Sequence, residues 1–261
     1  MIVDEIVVDE TDGVVTITLD RPAMKNAISV AMFEHLRDTF RSITAQQQAR
    51  CVVLTGTRDF AAGADLSRAG DNAPRGRINT LYTMRVIHDA VIALTEIPVP
   101  VVAKVRGVAV GAGLSLALGC DIIVASNNAR FAAIFARRGL SLDCGASWLL
   151  PRLVGLHKAK EIALLADLFG ADEAKAIGLV NRVVADAELD ETVGEIAGRL
   201  ANGPTVALSM TKRLLNNSFN SSLIETLEAE AMAQMVNGAT EDTREGMLAF
   251  LEKRDASFKG R

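Results

Sequence analysis

Two glycine-containing loops hold the residues best suited to chemistry. The first, Phe60-Ala61-Ala62-Gly63-Ala64-Asp65-Leu66, follows an apolar run at Cys51 to Thr55. The second, Gly107-Val108-Ala109-Val110-Gly111-Ala112-Gly113, follows another at Val99 to Val105 and opens a helical stretch. Small side chains let a ligand approach the main chain closely. The first N–H groups of a helix lack partners within it and point outward, which suits an anion. Two such groups converging on one oxygen would stabilise an enolate by roughly 3 kcal/mol per donor. The competing reading of the same glycines is structural, as tight turns packing a helix on a sheet.

Two sharper motifs fit less well. Gly111-Ala112-Gly113 followed by Leu116 lacks the third glycine of a dinucleotide fingerprint. Gly113-Leu114-Ser115-Leu116-Ala117 has the outline of a nucleophile elbow but ends in alanine, and only His157 lies downstream as a base. His88 stands in the helix-like run YTMRVIHDAVIAL, where a lone histidine ordinarily packs or caps.

The elements around these loops alternate. Ile6 to Val8 and Val14 to Leu19 flank Asp12-Gly13, the signature of a hairpin. Ser29 caps a helix through about Ser42, with Met32, Phe33, Leu36 and Phe40 at helical spacing. Strands at Cys51 to Thr55, Val99 to Val105 and Asp121 to Ala125 are separated by a helix at Ile78 to Leu94 and a short helix after Gly113. Apolar strands separated by helices imply parallel βα units with both sheet faces covered. After about Val184 the chain reads as four helices: Ala187 to Leu200, Pro204 to Asn216, Ser221 to Val236 and Thr240 to Lys253. Leu223, Leu227, Ala231 and Met235 form a stripe that should pack on the core or on another subunit.

Composition removes whole classes. With 261 residues the chain is one large domain or a domain with an appendage. Its net charge of -4 argues against a nucleic-acid binder, and 49% hydrophobic residues argue against disorder. Cys51, Cys120 and Cys144 form no CxxC pair, which disfavours a disulfide scaffold or zinc ribbon and fits a reducing cytosol. The start, MIVDEIVVDE, does not read as a signal peptide, and the longest uncharged stretch, Gly107 to Cys120, is too short for a membrane span. A cytoplasmic protein without membrane contact is expected.

LDRPAMKNAIS (19–29), VVLTGTRDFAAGADL (52–66) and GVAVGAGLSLALGCDI (107–122) resemble three signature stretches of the crotonase superfamily, the enoyl-CoA hydratase/isomerase group. The stretches at 129–155 and 245–261 extend the resemblance over nearly the whole chain, in order. It implies an α/β fold, a spiral of ββα units over residues 1–185, with a helical trimerisation region over 186–261. It further implies a coenzyme A thioester substrate and a homotrimer or hexamer. Coenzyme A enters as part of the substrate, and no metal or other cofactor is expected. The oxyanion-hole N–H groups fall by alignment on Ala64 and Ala112. Ala62, Gly63, Asp65, Leu66, Gly111, Phe135 and His88 fall among the substrate contacts.

The departures from the family pattern bear on the reaction. Hydratases of the family carry two glutamates where this chain has Ser115 and Phe135. Serine can hold a water but cannot take its proton, and phenylalanine can do neither. Asp143 stands where isomerase-type and dehalogenase-type relatives place a functional aspartate, and an apolar pocket would raise its pKa. It could instead cap a helix beginning near Gly145. The resemblance therefore implies an enzyme shifting, or adding water to, the double bond of an enoyl thioester, with Asp143 moving protons and Ser115 helping to position water. Alternatives are an acyl-CoA-binding scaffold without turnover and dehalogenase-like chemistry with Asp143 and His88. Trp148 is expected in the core or pocket wall, and the loop from Ser67 to Arg77 is expected to shape the pocket. Arg137, Arg138, Lys253, Arg254 and Lys259 are expected either to meet the coenzyme A phosphates or to form a solvated rim.

Overall fold

A computed structural model describes residues 5–66 and 77–261, without the side chains of 77–79. The loop expected to shape the pocket lies, but for the backbone of its last residue, outside the described residues. The chain opens with the hairpin β1 (Ile6–Thr11) and β2 (Val14–Leu19). Asp12 and Gly13 both take positive φ, the geometry a tight two-residue turn needs. Helix α1 (Val30–Gln46) begins at Ser29, whose side chain accepts the Met32 N–H, and buries Met32, Phe33, Leu36 and Phe40. Then come β3 (Cys51–Gly56), α2 (Arg77–Thr95), β4 (Val101–Val105), β5 (Val108–Val110) and α3 (Ala112–Leu118). They are followed by β6 (Ile122–Ser126), β7 (Arg130–Ala132), α4 (Ala146–Val154) and α5 (Leu156–Leu165). The chain continues through β8 (Phe169–Gly170), α6 (Ala171–Ala176), β9 (Arg182–Val184) and α7 (Leu189–Ala201). Helices α8 (Thr205–Asn217), α9 (Leu223–Gly238) and α10 (Glu241–Glu252) complete it.

The main sheet has the order β1-β2-β3-β4-β6-β9 and is parallel apart from the β1–β2 hairpin. Strand β3 is buried along its whole length because both faces are covered. Val52 and Leu54 enter the main core, whereas Cys51 and Val53 meet Leu189, Val193, Ala197 and Ala201 of α7. A second sheet, β5-β7-β8, stands where the sequence reads as glycine loop and connection.

The segment between β2 and α1 locks the loop after β3. Pro22 starts a single 3-10 turn, and Lys25 and Asn26 follow in left-handed conformations. Asparagine tolerates that region better than most residues. The Asn26 side chain is fully buried and accepts the Arg21 N–H at 2.8 Å. Its amide donates to the carbonyls of Thr57 at 3.1 Å and Asp59 at 2.5 Å.

The last three helices, α8 to α10, bury little. The α9 stripe stands open, with Leu223 74%, Leu227 53% and Met235 72% exposed, so the chain's own core does not cover it. Trp148 is not in the core, one of its two expected places: it is 43% exposed on α4, with the Arg152 guanidinium 3.7 Å above its ring, because the buried side of α4 is taken by Ala146 and Leu150.

Asn26→Ala would leave a buried N–H and two carbonyls without this partner. It should lower stability by about 2–4 kcal/mol in urea denaturation. An unchanged midpoint would show that other groups satisfy them.

Candidate active site

The two glycine loops meet. Ala61 donates to the Val108 carbonyl at 2.9 Å and accepts from the Val110 N–H at 3.0 Å, so the first loop pairs with β5. Two residues on, the chain pairs on its other side. The Gly63 carbonyl accepts from Ile28 at 2.8 Å and the Asp65 N–H donates to Ile28 at 2.9 Å. Ala64 lies between them in the bridge, so its own N–H faces away from Ile28. A Cβ added at Gly63 would stand 3.1 Å from the Val110 carbonyl oxygen and 3.7 Å from the Ala112 nitrogen. Gly63 at φ +96 and Gly111 at φ +55 hold conformations that residues with side chains rarely adopt. Among the described residues, neither the Ala64 nor the Ala112 N–H has a hydrogen-bond acceptor. Ala112 opens a helix of seven residues, so the useful property is N–H direction rather than a long helix dipole.

The expected contact residues divide by environment. Asp65 is not presented to the site as a carboxylate. It pairs with Arg21 at 2.6 Å, and its side chain is 7% exposed. Arg21 also bonds the Ala27 carbonyl at 3.0 Å, so it braces the loop bearing Ala64. The opposite charges of Arg21 and Asp65, each inside a motif, were the available signal. Ala62 is partly buried and donates to the Lys25 carbonyl at 2.9 Å, Leu66 is exposed, and Gly111 donates to Ala132 at 2.9 Å. Phe135 is buried in the core on the 3-10 turn of residues 134–138.

Ser115 is fully buried, and its hydroxyl lies against two carbonyl oxygens, Gly111 at 3.2 Å and Asp143 at 3.3 Å. A carbonyl accepts the hydroxyl's hydrogen bond but cannot serve as its general base, and His157 is exposed on α5, so the structure assembles no serine triad around Ser115. Cys144 is buried, and burial together with the Asp143 charge raises its thiol pKa, which argues against a thiolate nucleophile.

Asp143 is the candidate for proton chemistry. It does not cap α4, whose cap is Gly145 without a side-chain bond. Its Oδ1 is buried with no hydrogen-bond partner. Desolvation raises its pKa above the ordinary carboxylate value, against the opposing pull of a Cys144 hydrogen bond and the His88 charge. Cys144 (φ 49) and Gly145 (φ 79) follow in left-handed conformations, a turn that strains the cysteine. Asp143 and His88 line one cleft of about 570 Å³, walled by Met84, Val91 and Ile92 of α2 and by Leu140 and Leu142. A second hollow of about 370 Å³, between α8 and α10, offers Asp242 as its one ionisable lining side chain, and the Lys259 and Gly260 N–H groups occupy that carboxylate.

Three of the five basic residues, Arg137, Arg254 and Lys259, are drawn into surface ion pairs. Arg137 meets Asp167 at 2.7 Å, and Arg254 meets Glu245 at 2.6 Å and Glu252 at 2.7 Å. Lys259 lies 3.8 Å from Glu241. Among the described residues no cluster of three potential metal ligands forms, and no helix is long and apolar enough to cross a membrane.

A family model described as enoyl-CoA hydratase/isomerase matches residues 9–261. The chain is 37% identical over 252 residues to the 1,2-epoxyphenylacetyl-CoA isomerase of Escherichia coli, covering 95% of this chain and 96% of that one. It is 33% identical over 261 residues to the crotonyl-CoA hydratase of Syntrophomonas wolfei, covering 99% of both. A solved enoyl-CoA hydratase from Bacillus anthracis superposes with a TM-score of 0.92 at 33% identity, covering 99% of this chain and 100% of that one.

The raised pKa of Asp143 has a stability consequence. A carboxyl raised by folding contributes stability that is present below its unfolded pKa and lost as pH rises through the folded one. Asp143→Asn should therefore be more stable than the parent at pH 7, with the gain shrinking as pH falls through the folded pKa. Urea denaturation across that range checks this, and a loss of stability at pH 7 would contradict it.

Proposed function

The chain belongs to the enoyl-CoA hydratase/isomerase family, and on that premise we propose that it shifts the double bond of an enoyl-CoA thioester from the 3- to the 2-position. The thioester oxygen sits between the N–H groups of Ala64 and Ala112. The Asp143 carboxylate takes a proton from C2, and the electron pair moves into the thioester carbonyl as a dienolate. Asp143 then returns the proton to C4, leaving the 2-enoyl product. The observations that support this most are the approach of Gly63 to Val110 and Ala112 and the partnerless Asp143 oxygen, on a residue whose backbone carbonyl meets the same Ser115 hydroxyl as the Gly111 carbonyl. Desolvation makes that carboxylate a stronger base than a solvated one. The reaction moves protons only, so no cofactor beyond the coenzyme A of the substrate is required.

Two N–H donors on one developing oxyanion supply roughly 3 kcal/mol each, and a positioned base a further 10²- to 10⁴-fold in rate. A single carboxylate suits proton return to the same molecule, which is why isomerisation is preferred over hydration. Hydration is the runner-up, with Asp143 holding the water, since the Ser115 hydroxyl is already engaged by two carbonyls. A second reading has support of its own: His88 lines the same cleft as Asp143, the pair that dehalogenase-like chemistry would use. The name of the Escherichia coli relative adds aromatic-derived acyl groups to the substrates worth testing.

We further propose that residues 1–185 form the catalytic core and 186–261 the assembly region. The exposed α9 stripe would be covered in a cytoplasmic homotrimer or a hexamer of paired trimers. Sedimentation should then give three or six times the 27.8 kDa chain mass, and a monomer would refute it.

The reaction is tested with 2-enoyl and 3-enoyl thioesters of several chain lengths. Asp143→Asn should lower 3-enoyl turnover by about 10²-fold or more, and His88→Ala should keep it within about tenfold. Equal collapse in both variants supports the His88 reading. Thioester binding without turnover by the parent protein supports a scaffold.

A further inference from the structure

A buried hydroxyl joins the two halves of the proposed site. All seven residues of α3 are buried, and Ser115 alone carries a polar side chain. A hydroxyl there must find partners. Its 3.2 Å contact with the Gly111 carbonyl is the back-bond that helical serines commonly make one turn upstream. Its 3.3 Å contact with the Asp143 carbonyl crosses to a different segment, which a back-bond does not explain. Serine has one proton, so the two contacts share it, and each is longer than the roughly 2.7–2.8 Å of an undivided hydroxyl bond.

Neither carbonyl depends on this hydroxyl. Gly111 also accepts the Ser115 N–H at 3.0 Å, and Asp143 also accepts the Ala146 N–H at 3.0 Å. The link is therefore dispensable to the fold, yet it touches two informative oxygens. The Gly111 carbonyl belongs to the same planar peptide unit as the Ala112 N–H, so holding the oxygen fixes the direction of that N–H. The Asp143 carbonyl fixes the backbone from which the carboxylate projects, just before the left-handed pair Cys144 and Gly145.

We propose that Ser115 is a positioning residue that ties the Gly111–Ala112 peptide to the backbone of Asp143. It sets the spacing between the N–H that stabilises the anion and the carboxylate that carries the proton. It touches neither the substrate nor the travelling proton. This rests on the roles given above to Ala112 and Asp143, and it replaces the water-holding role the sequence offers for the hydroxyl.

The test uses Ser115→Ala in the full chain and Ser115→Thr, which keeps the hydroxyl. Three quantities are measured: kcat and KM on the best enoyl thioester, the thermal midpoint, and the infrared band of a bound saturated acyl-CoA carrying ¹³C at its thioester carbonyl. Ser115→Ala should lower kcat about tenfold with KM within about twofold, because misplacement weakens the transition state more than the ground state. The midpoint should stay close to that of the parent. The band, shifted to lower frequency in the parent, should move part-way back and broaden, and Ser115→Thr should restore both kcat and the band. A parental kcat in Ser115→Ala, or a kcat loss with the band unmoved, overturns the proposal. A parent protein that shifts no band and turns over no thioester refutes the underlying site itself, an outcome distinct from failure of the link.

Discussion

The structure depends on a close approach between two main-chain segments, 60–64 and 108–112. Reciprocal hydrogen bonds between Ala61 and β5 draw them together. Glycine at 63 lets them come close enough that one extra carbon would press on the Val110 carbonyl. Strand alternation and the bond to Ile28 then leave the Ala64 N–H facing away from its neighbour strand. The first turn of α3 leaves the Ala112 N–H without an internal partner. The proposed anion-binding pair is thus a matter of main-chain geometry, and alanine can serve at both positions.

What holds that geometry lies outside the pair itself. Arg21 grips Asp65 beside Ala64, and the Asn26 side chain reaches the loop after β3. The polar groups in these braces are satisfied, as buried polar groups generally must be. Asp143 is the contrast, with one oxygen buried and unpaired, on a residue lining a cleft of mixed apolar and polar side chains. Such a group weakens the folded state at neutral pH, and it persists where its basicity is useful.

Much of this was legible from residue types. Asp12-Gly13 marked the hairpin, Ser29 and its apolar period marked α1, and the apolar run at Cys51 marked β3. The runs at Ser221 to Val236 and Thr240 to Lys253 marked α9 and α10, whose caps are Ser222 and Thr240. The second sheet was hidden because β5, β7 and β8 have two or three residues, too few to show a period. Their partners are set by tertiary contact alone. The charges of Arg21 and Asp65 were visible, but their pairing is a tertiary contact across 44 residues. Trp148 misled because a large aromatic is usually inside, whereas here α4 turns smaller residues inward and Arg152 covers the ring. For the site, the two loops and Asp143 were visible in the sequence. The burial of the Ser115 hydroxyl between two carbonyls required coordinates.

A crystal structure with a saturated acyl-CoA, which can bind but not react, examines the main-chain anion site itself. The thioester oxygen should lie about 2.7–3.2 Å from both the Ala64 and Ala112 nitrogens, with Asp143 the nearest carboxylate to C2. A thioester oxygen resting in solvent, or bonded to neither nitrogen, would contradict the proposed mechanism.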